Sequence, residues 1–111
     1  KILFWTQEKI STVTFSKETE ENEKNFPAVT VLTEKGNDIR QSFWAYEASH
    51  VLFRDGNEVF LAEARSPEPF YVRPVMTVLP DTPVFYHDLA HHIYYLHPQT
   101  RHLMRRKITE S

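Results

Sequence analysis

Five of the chain's six histidines stand between positions 87 and 102, as His87, His91, His92, His97 and His102, and Arg105, Arg106 and Lys107 follow at once. Imidazole ligates metals, moves protons near neutral pH and, once protonated, adds to a cationic surface. Metal ligation is the first chemistry open to this segment. On a helix His87 and His91 would stand one turn apart, at a spacing that metal sites use. Asp88, His92, His97 or His102 would have to complete the set. The zincin pattern requires Glu after its first histidine, where this chain has Asp88. The metal phosphohydrolase pattern lacks its further His and Asp partners.

Acid–base or nucleophilic catalysis is the second. It needs a Ser, Thr or carboxylate held against a histidine, and Ser42, Ser49 and His50 sit in no nucleophile-elbow pattern. No catalytic residue is assigned. The third is recognition. Arg101, His102, Arg105, Arg106 and Lys107 could neutralise phosphates or meet an acidic protein surface, with Tyr94 and Tyr95 available to stack on bases. Trp44 is a further partner-binding candidate, since Phe43-Trp44-Ala45-Tyr46 puts large groups on both faces of a strand. The plainer reading of that run is a strand buried on both sides, with Phe43 beside Ala45 and Trp44 beside Tyr46.

Composition narrows these classes. With no cysteine, thiolate nucleophiles, disulfides and cysteine-ligated zinc are excluded. The two glycines both fall in turn signals, leaving none for a phosphate-cradling loop. No apolar run approaches the roughly 20 residues needed to cross a bilayer as a helix. The formal charge of -2 conceals an asymmetry: residues 1–69 hold 8 basic and 12 acidic groups, residues 70–111 hold 5 and 3. A cationic end on an acidic body suits an acidic partner. The pI near 6.3, however, is below the footprint of a dedicated nucleic-acid binder. The expectation is a non-catalytic recognition or assembly domain of a larger protein. A protein, or the rest of the parent chain, ranks above nucleic acid as partner, and neither cofactor nor membrane is expected. The alternatives are a nucleic-acid-binding domain using the basic end and a small His-based or metal-dependent enzyme.

These groups must be positioned by one domain, because 111 residues leave no room for two. Its start at Lys1, already in strand-like sequence, reads as a domain excised or processed from a longer protein. Val, Thr, Phe, Tyr and Trp dominate short runs separated by turn signals, which predicts at least five strands. Two hairpins are expected, turning at Glu34 to Asp38, with Gly36 placed for a positive φ, and at Asp55-Gly56-Asn57. Residues 17–25, with four Glu, read as an acidic loop. Pro74 predicts an edge or bulged strand.

After Leu79 two readings compete. Pro80-Asp81-Thr82-Pro83 offers an N-cap, and Phe85, Leu89, Ile93 and Leu96 recur at helical steps, which predicts a helix near residues 82–96. Otherwise Ile93 to Leu96 is a strand, His97 to Thr100 a turn, and Arg101 to Ile108 its antiparallel mate. The helical reading makes the chain α+β, a mainly antiparallel barrel or sandwich with one C-terminal helix. The other makes it all-β with a C-terminal hairpin.

Overall fold

The computed structural model describes residues 2–14, 28–64 and 70–109. The acidic stretch 17–25 lies outside the described residues. Among the described residues ten strands form three antiparallel sheets. The first joins β1 (Ile2–Trp5), β2 (Ile10–Thr14) and β3 (Ala28–Thr33) in chain order. The second runs β4 (Ile39–Ala45), β5 (His50–Asp55), β6 (Glu58–Glu63) and β7 (Val72–Thr77). The third is a meander of β8 (Phe85–His87), β9 (His92–Leu96) and β10 (Leu103–Lys107).

The four-stranded sheet is the middle layer. Successive side chains of a strand point to opposite faces, and here both faces are covered. Ala45, Leu52, Val59 and Leu61 pack with Val84, Ile93 and Ile108 of the C-terminal meander region. Val51, Phe53 and Ala62 pack with Ile10 and Leu32 of the first sheet. This two-sided burial explains why Val51-Leu52-Phe53 reads as an unbroken apolar run. Phe43 faces the first cluster with Ala45, and Trp44 faces the second, as the alternation requires. Tyr46 does not join Trp44, because the chain leaves the strand there and Tyr46, Glu47 and Ala48 all take left-handed backbone conformations (φ 52, 53 and 67°).

The expected helix over 82–96 is absent: these residues form β8, a turn and β9, so the chain is all-β among the described residues. Thr82 donates its hydroxyl back to the Leu79 carbonyl at 2.6 Å, closing a turn instead of capping a helix start. The four residues of the supposed helical face part company. Ile93 is fully buried, whereas Phe85 is 63% and Leu89 88% exposed. What prevails is cross-strand packing, in which Tyr86 and Ile93 are direct partners turned toward the core, with Tyr95 on the same face. A helix would have turned Tyr95 to the side opposite Ile93 and so withdrawn it from the middle sheet. The hairpin alternative fits, with Leu103 opposite Leu96 and Lys107 opposite His92.

Of the two expected hairpins only the one at Asp55-Gly56-Asn57 forms. β3 pairs with β2 and β4 with β5, so residues 34–38 carry the chain from the first sheet to the middle one, where Leu32 of β3 packs with Ile39, Val51 and Phe53 face to face instead of through a shared ladder. Gly56 has a φ of +60° with open space around it, whereas Gly36 has no positive φ and is needed for room. A Cβ at Gly36 would lie 2.3 Å from Ile39 Cδ1 and 2.9 Å from the Glu8 carbonyl, to which its own N–H bonds. Pro74 falls on the edge strand β7, at a register shift opposite Val59 and Phe60.

Candidate recognition surface

The meander's two faces differ in kind. Residues directly opposite in an antiparallel pair share a face. On the inner face Tyr86, Ile93 and Tyr95 meet the core. On the outer face the register sets Phe85 beside Tyr94 and Tyr94 beside Arg105, forming one row across all three strands. The next row is His87, His92 and Lys107, and the last is Leu96 with Leu103. Adjacent strands lie about 4.8 Å apart, so each row brings its side chains into reach of one another. His92 and Tyr94, two apart on β9, meet edge to face with centroids 6.5 Å apart.

Every titratable side chain on this outer face is a base or a phenol. The proximity is felt: His92 is held below the ordinary imidazole value, first by desolvation, then by the charges of Arg105 and Lys107 and by His87 and His91. The nearest turn carboxylate, Asp88, is engaged elsewhere. One of its oxygens accepts the Tyr46 N–H at 2.9 Å. Burial, and then Asp88, also push the Tyr86 hydroxyl above its usual range.

Of the sequence-predicted partner residues, Tyr94, Arg105 and Lys107 come together here. Tyr95 and Arg106 occupy the opposite face, Arg106 opposite Ile93. Arg101 and His102 lie at the β9–β10 hairpin end, Arg101 with φ 64° and both exposed. Trp44 is on the middle sheet, half-buried against the first sheet. Phe85 was missed because the helical spacing assigned it to a core. A period of two, Phe85-x-His87 and His92-x-Tyr94-x-Leu96, was the signal that could have found it.

The histidines divide by role. His87 and His92 are cross-strand neighbours on the outer face. His91, in the turn with φ 56°, stacks on Tyr46 with centroids 4.3 Å apart, and its Nδ1 is 3.4 Å from the Tyr86 hydroxyl and 3.9 Å from Asp88. His87 and His91 therefore do not form the expected pair on one helix face. Among the described residues no group of three His, Asp or Glu gathers to hold a metal. His97 accepts the Gln99 and Thr100 amides on Nδ1, each at 3.2 Å, and so braces its turn. Ser49 Oγ lies 2.8 Å from His50 Nδ1. His50 also meets the edge of the Tyr46 ring, at 5.6 Å between centroids, and stands directly opposite Glu63 across the β5–β6 pair.

A groove of about 1100 Å³ opens on the far side of the middle sheet, floored by Phe53, Phe60 and Phe70 and walled by Val31 and Val72. Glu34, Asp55 and Lys35 also line it, and Asp55 accepts the Asn37 and Asp38 amides. No described helix is long and apolar enough to cross a membrane. Comparison with protein-family models, with curated proteins and with solved structures found no match to this chain.

Proposed function

We propose that this chain is a non-catalytic recognition domain that engages an acidic macromolecule through the outer face of the β8–β10 meander. The observation that carries this reading is the pair of rows Phe85–Tyr94–Arg105 and His87–His92–Lys107, which unite an exposed ring, Phe85, and a half-buried one, Tyr94, with bases and contain no carboxylate. Large aromatics and arginine are enriched where partners bind. A fully solvated sheet face has no folding reason to carry Phe85 and Leu103, exposed at 63% and 71%. The rest of the molecule supplies a stiff support, since the inner face of the same meander packs on the middle sheet.

The test is retention on an immobilised sulfated polysaccharide, a partner with charge and no bases to stack. The chain should be retained at low salt and elute as salt rises, because charge neutralisation releases counterions. Arg105→Glu with Lys107→Glu should abolish retention, and Arg106→Glu should weaken it less. Equal loss from all three, or no retention of the unmodified chain, would sink the reading.

A further inference from the structure

We infer that the acidic partner of this face is single-stranded nucleic acid. The inference rests on the recognition reading above and goes beyond it by naming the partner's chemistry. Positive charge alone would fit any polyanion, so the rings decide between classes. Phe85 and Tyr94 are direct cross-strand neighbours on the outer face, Phe85 exposed and Tyr94 half-buried beside it, and an acidic peptide brings carboxylates but nothing obliged to lie flat on them. Unpaired bases present free π-faces, and each base stacked on an aromatic side chain adds about 1–3 kcal/mol regardless of sequence. In a duplex those faces are covered by neighbouring base pairs, and a sheet face of this kind reaches only phosphates. The order across the sheet matches a strand's own alternation of base and phosphate. Arg105 continues the aromatic row, while His87, His92 and Lys107 run beside it. Arg101 and His102, exposed at the hairpin end, extend the track beyond Leu96 and Leu103.

The backbone of the outer face needs no rearrangement to bind. The Leu79 N–H bonds the Leu96 carbonyl at 2.9 Å, and the Ile108 N–H bonds the His91 carbonyl at 2.7 Å, so both ends of β9 are pinned. A platform that is rigid before binding loses little entropy on capture. Arg106, opposite Ile93 on the other face, is the built-in control.

The experiment is fluorescence anisotropy on the whole chain with four labelled probes of matched charge: a 15-nucleotide oligothymidylate, its RNA counterpart, a duplex and a polyglutamate peptide. Single strands should bind with Kd near 10 μM at about 0.1 M salt, inside the sequence-independent range, and at least tenfold more tightly than duplex or polyglutamate. Phe85→Ala should cost about tenfold, as loss of one stacked base implies. Tyr94→Leu, which keeps apolar bulk, should cost a similar factor, with unchanged far-ultraviolet circular dichroism in both variants. Arg105→Gln with Lys107→Gln should reduce the slope of log affinity against log salt by about 1.4, from 0.7 per lost phosphate contact. Arg106→Gln should stay within twofold. Binding of the duplex equal to that of single strands, or indifference to both ring variants, would overturn the inference and leave a purely electrostatic surface. Tighter binding of polyglutamate would assign the face to an acidic protein. In either case retention on the sulfated polysaccharide would still stand, whereas loss of that retention as well would overturn the recognition reading itself.

Discussion

At the scale of single residues, His92 links the surface's charge to pH. Its value in the folded chain lies below the ordinary 6.5, because desolvation and the charges of Arg105 and Lys107 oppose its proton. The unfolded chain therefore takes up that proton first as pH falls. Stability assigned to neutral His92 is present above about 6.5 and is lost on acidification through the window below it. Comparing unmodified chain with His92→Gln in thermal melts between pH 7.5 and 5 should show the unmodified chain losing more. An anionic partner removes the opposition, so binding should strengthen over the same window, and less so in His92→Gln. Backbone strain is the other residue-scale quantity. Ala48 holds a φ of 67° at the end of three consecutive left-handed residues, a conformation that costs an L-residue about 1–2 kcal/mol. Ala48→Gly should raise stability by about 1 kcal/mol in urea titrations, whereas Gly36→Ala should lower it by about 1–3 kcal/mol, since its Cβ would meet the Glu8 carbonyl and Ile39.

Between elements, the meander and the middle sheet share no ladder, and side chains make the joint. Gln41 on β4 treats Val84 as a strand partner would, its amide nitrogen donating to the Val84 carbonyl and its oxygen accepting the Val84 N–H, both at 3.0 Å. Tyr46 forms a second clasp. Its N–H meets Asp88, its ring stacks on His91 and its hydroxyl bonds the Ile108 carbonyl. Gln41→Ala strands two partly buried backbone groups, each loss worth about 1–2 kcal/mol. We expect denaturant melts to show a loss near 2–3 kcal/mol and amide exchange to quicken at Val84. Gln41→Glu should recover only the bond to the Val84 N–H. A destabilisation below about 0.5 kcal/mol in Gln41→Ala would mean that apolar contact alone holds the meander in place.

For the whole molecule, the middle sheet carries both apolar clusters and the one buried cation among the described residues. Arg54 is 2% exposed, and its guanidinium donates to the carbonyls of Gly56 and Leu79, at 2.8 and 3.3 Å. Burial lowers its pKa from the ordinary value, with Arg40 adding to the effect. Those carbonyls belong to the β5–β6 turn and to the segment entering the meander, so Arg54 couples the layers. Arg54→Ala should cost about 2–3 kcal/mol, leaving the Gly56 carbonyl without its guanidinium donor, the Leu79 carbonyl with Thr82 alone and a cavity where the side chain was buried. Native-state hydrogen exchange should rank protection accordingly. Amides of β5 and β6, covered on both faces, should exchange slowest. Those of β10, whose residues are all exposed, should exchange much faster, and faster exchange in β5 than in β10 would refute this layering.

Much of this protein was legible in its sequence, wherever local chemistry and burial agree. Gly56 and the apolar runs around it specify the β5–β6 hairpin, because Asp-Gly is a turn in nearly any setting and alternation does the rest. The run Phe43 to Ala45 announces burial on both faces, and Pro74 announces an edge. The segment after Leu79 was undecided because its apolar residues satisfy two periods at once. Phe85, Leu89, Ile93 and Leu96 fit a helix, whereas Tyr86, Ile93 and Tyr95 with Ile108 fit a sheet; only the facing middle sheet, which needs those four side chains in one layer, selects the second. The candidate surface followed from that selection. Arg105, Lys107 and Tyr94 could be named from composition, but Arg106 and Tyr95 could not be set apart from them, nor Phe85 added, until strand register decided which side chains look outward. Register is a property of pairing between distant segments, and a single sequence carries it only through the burial that the complete fold provides.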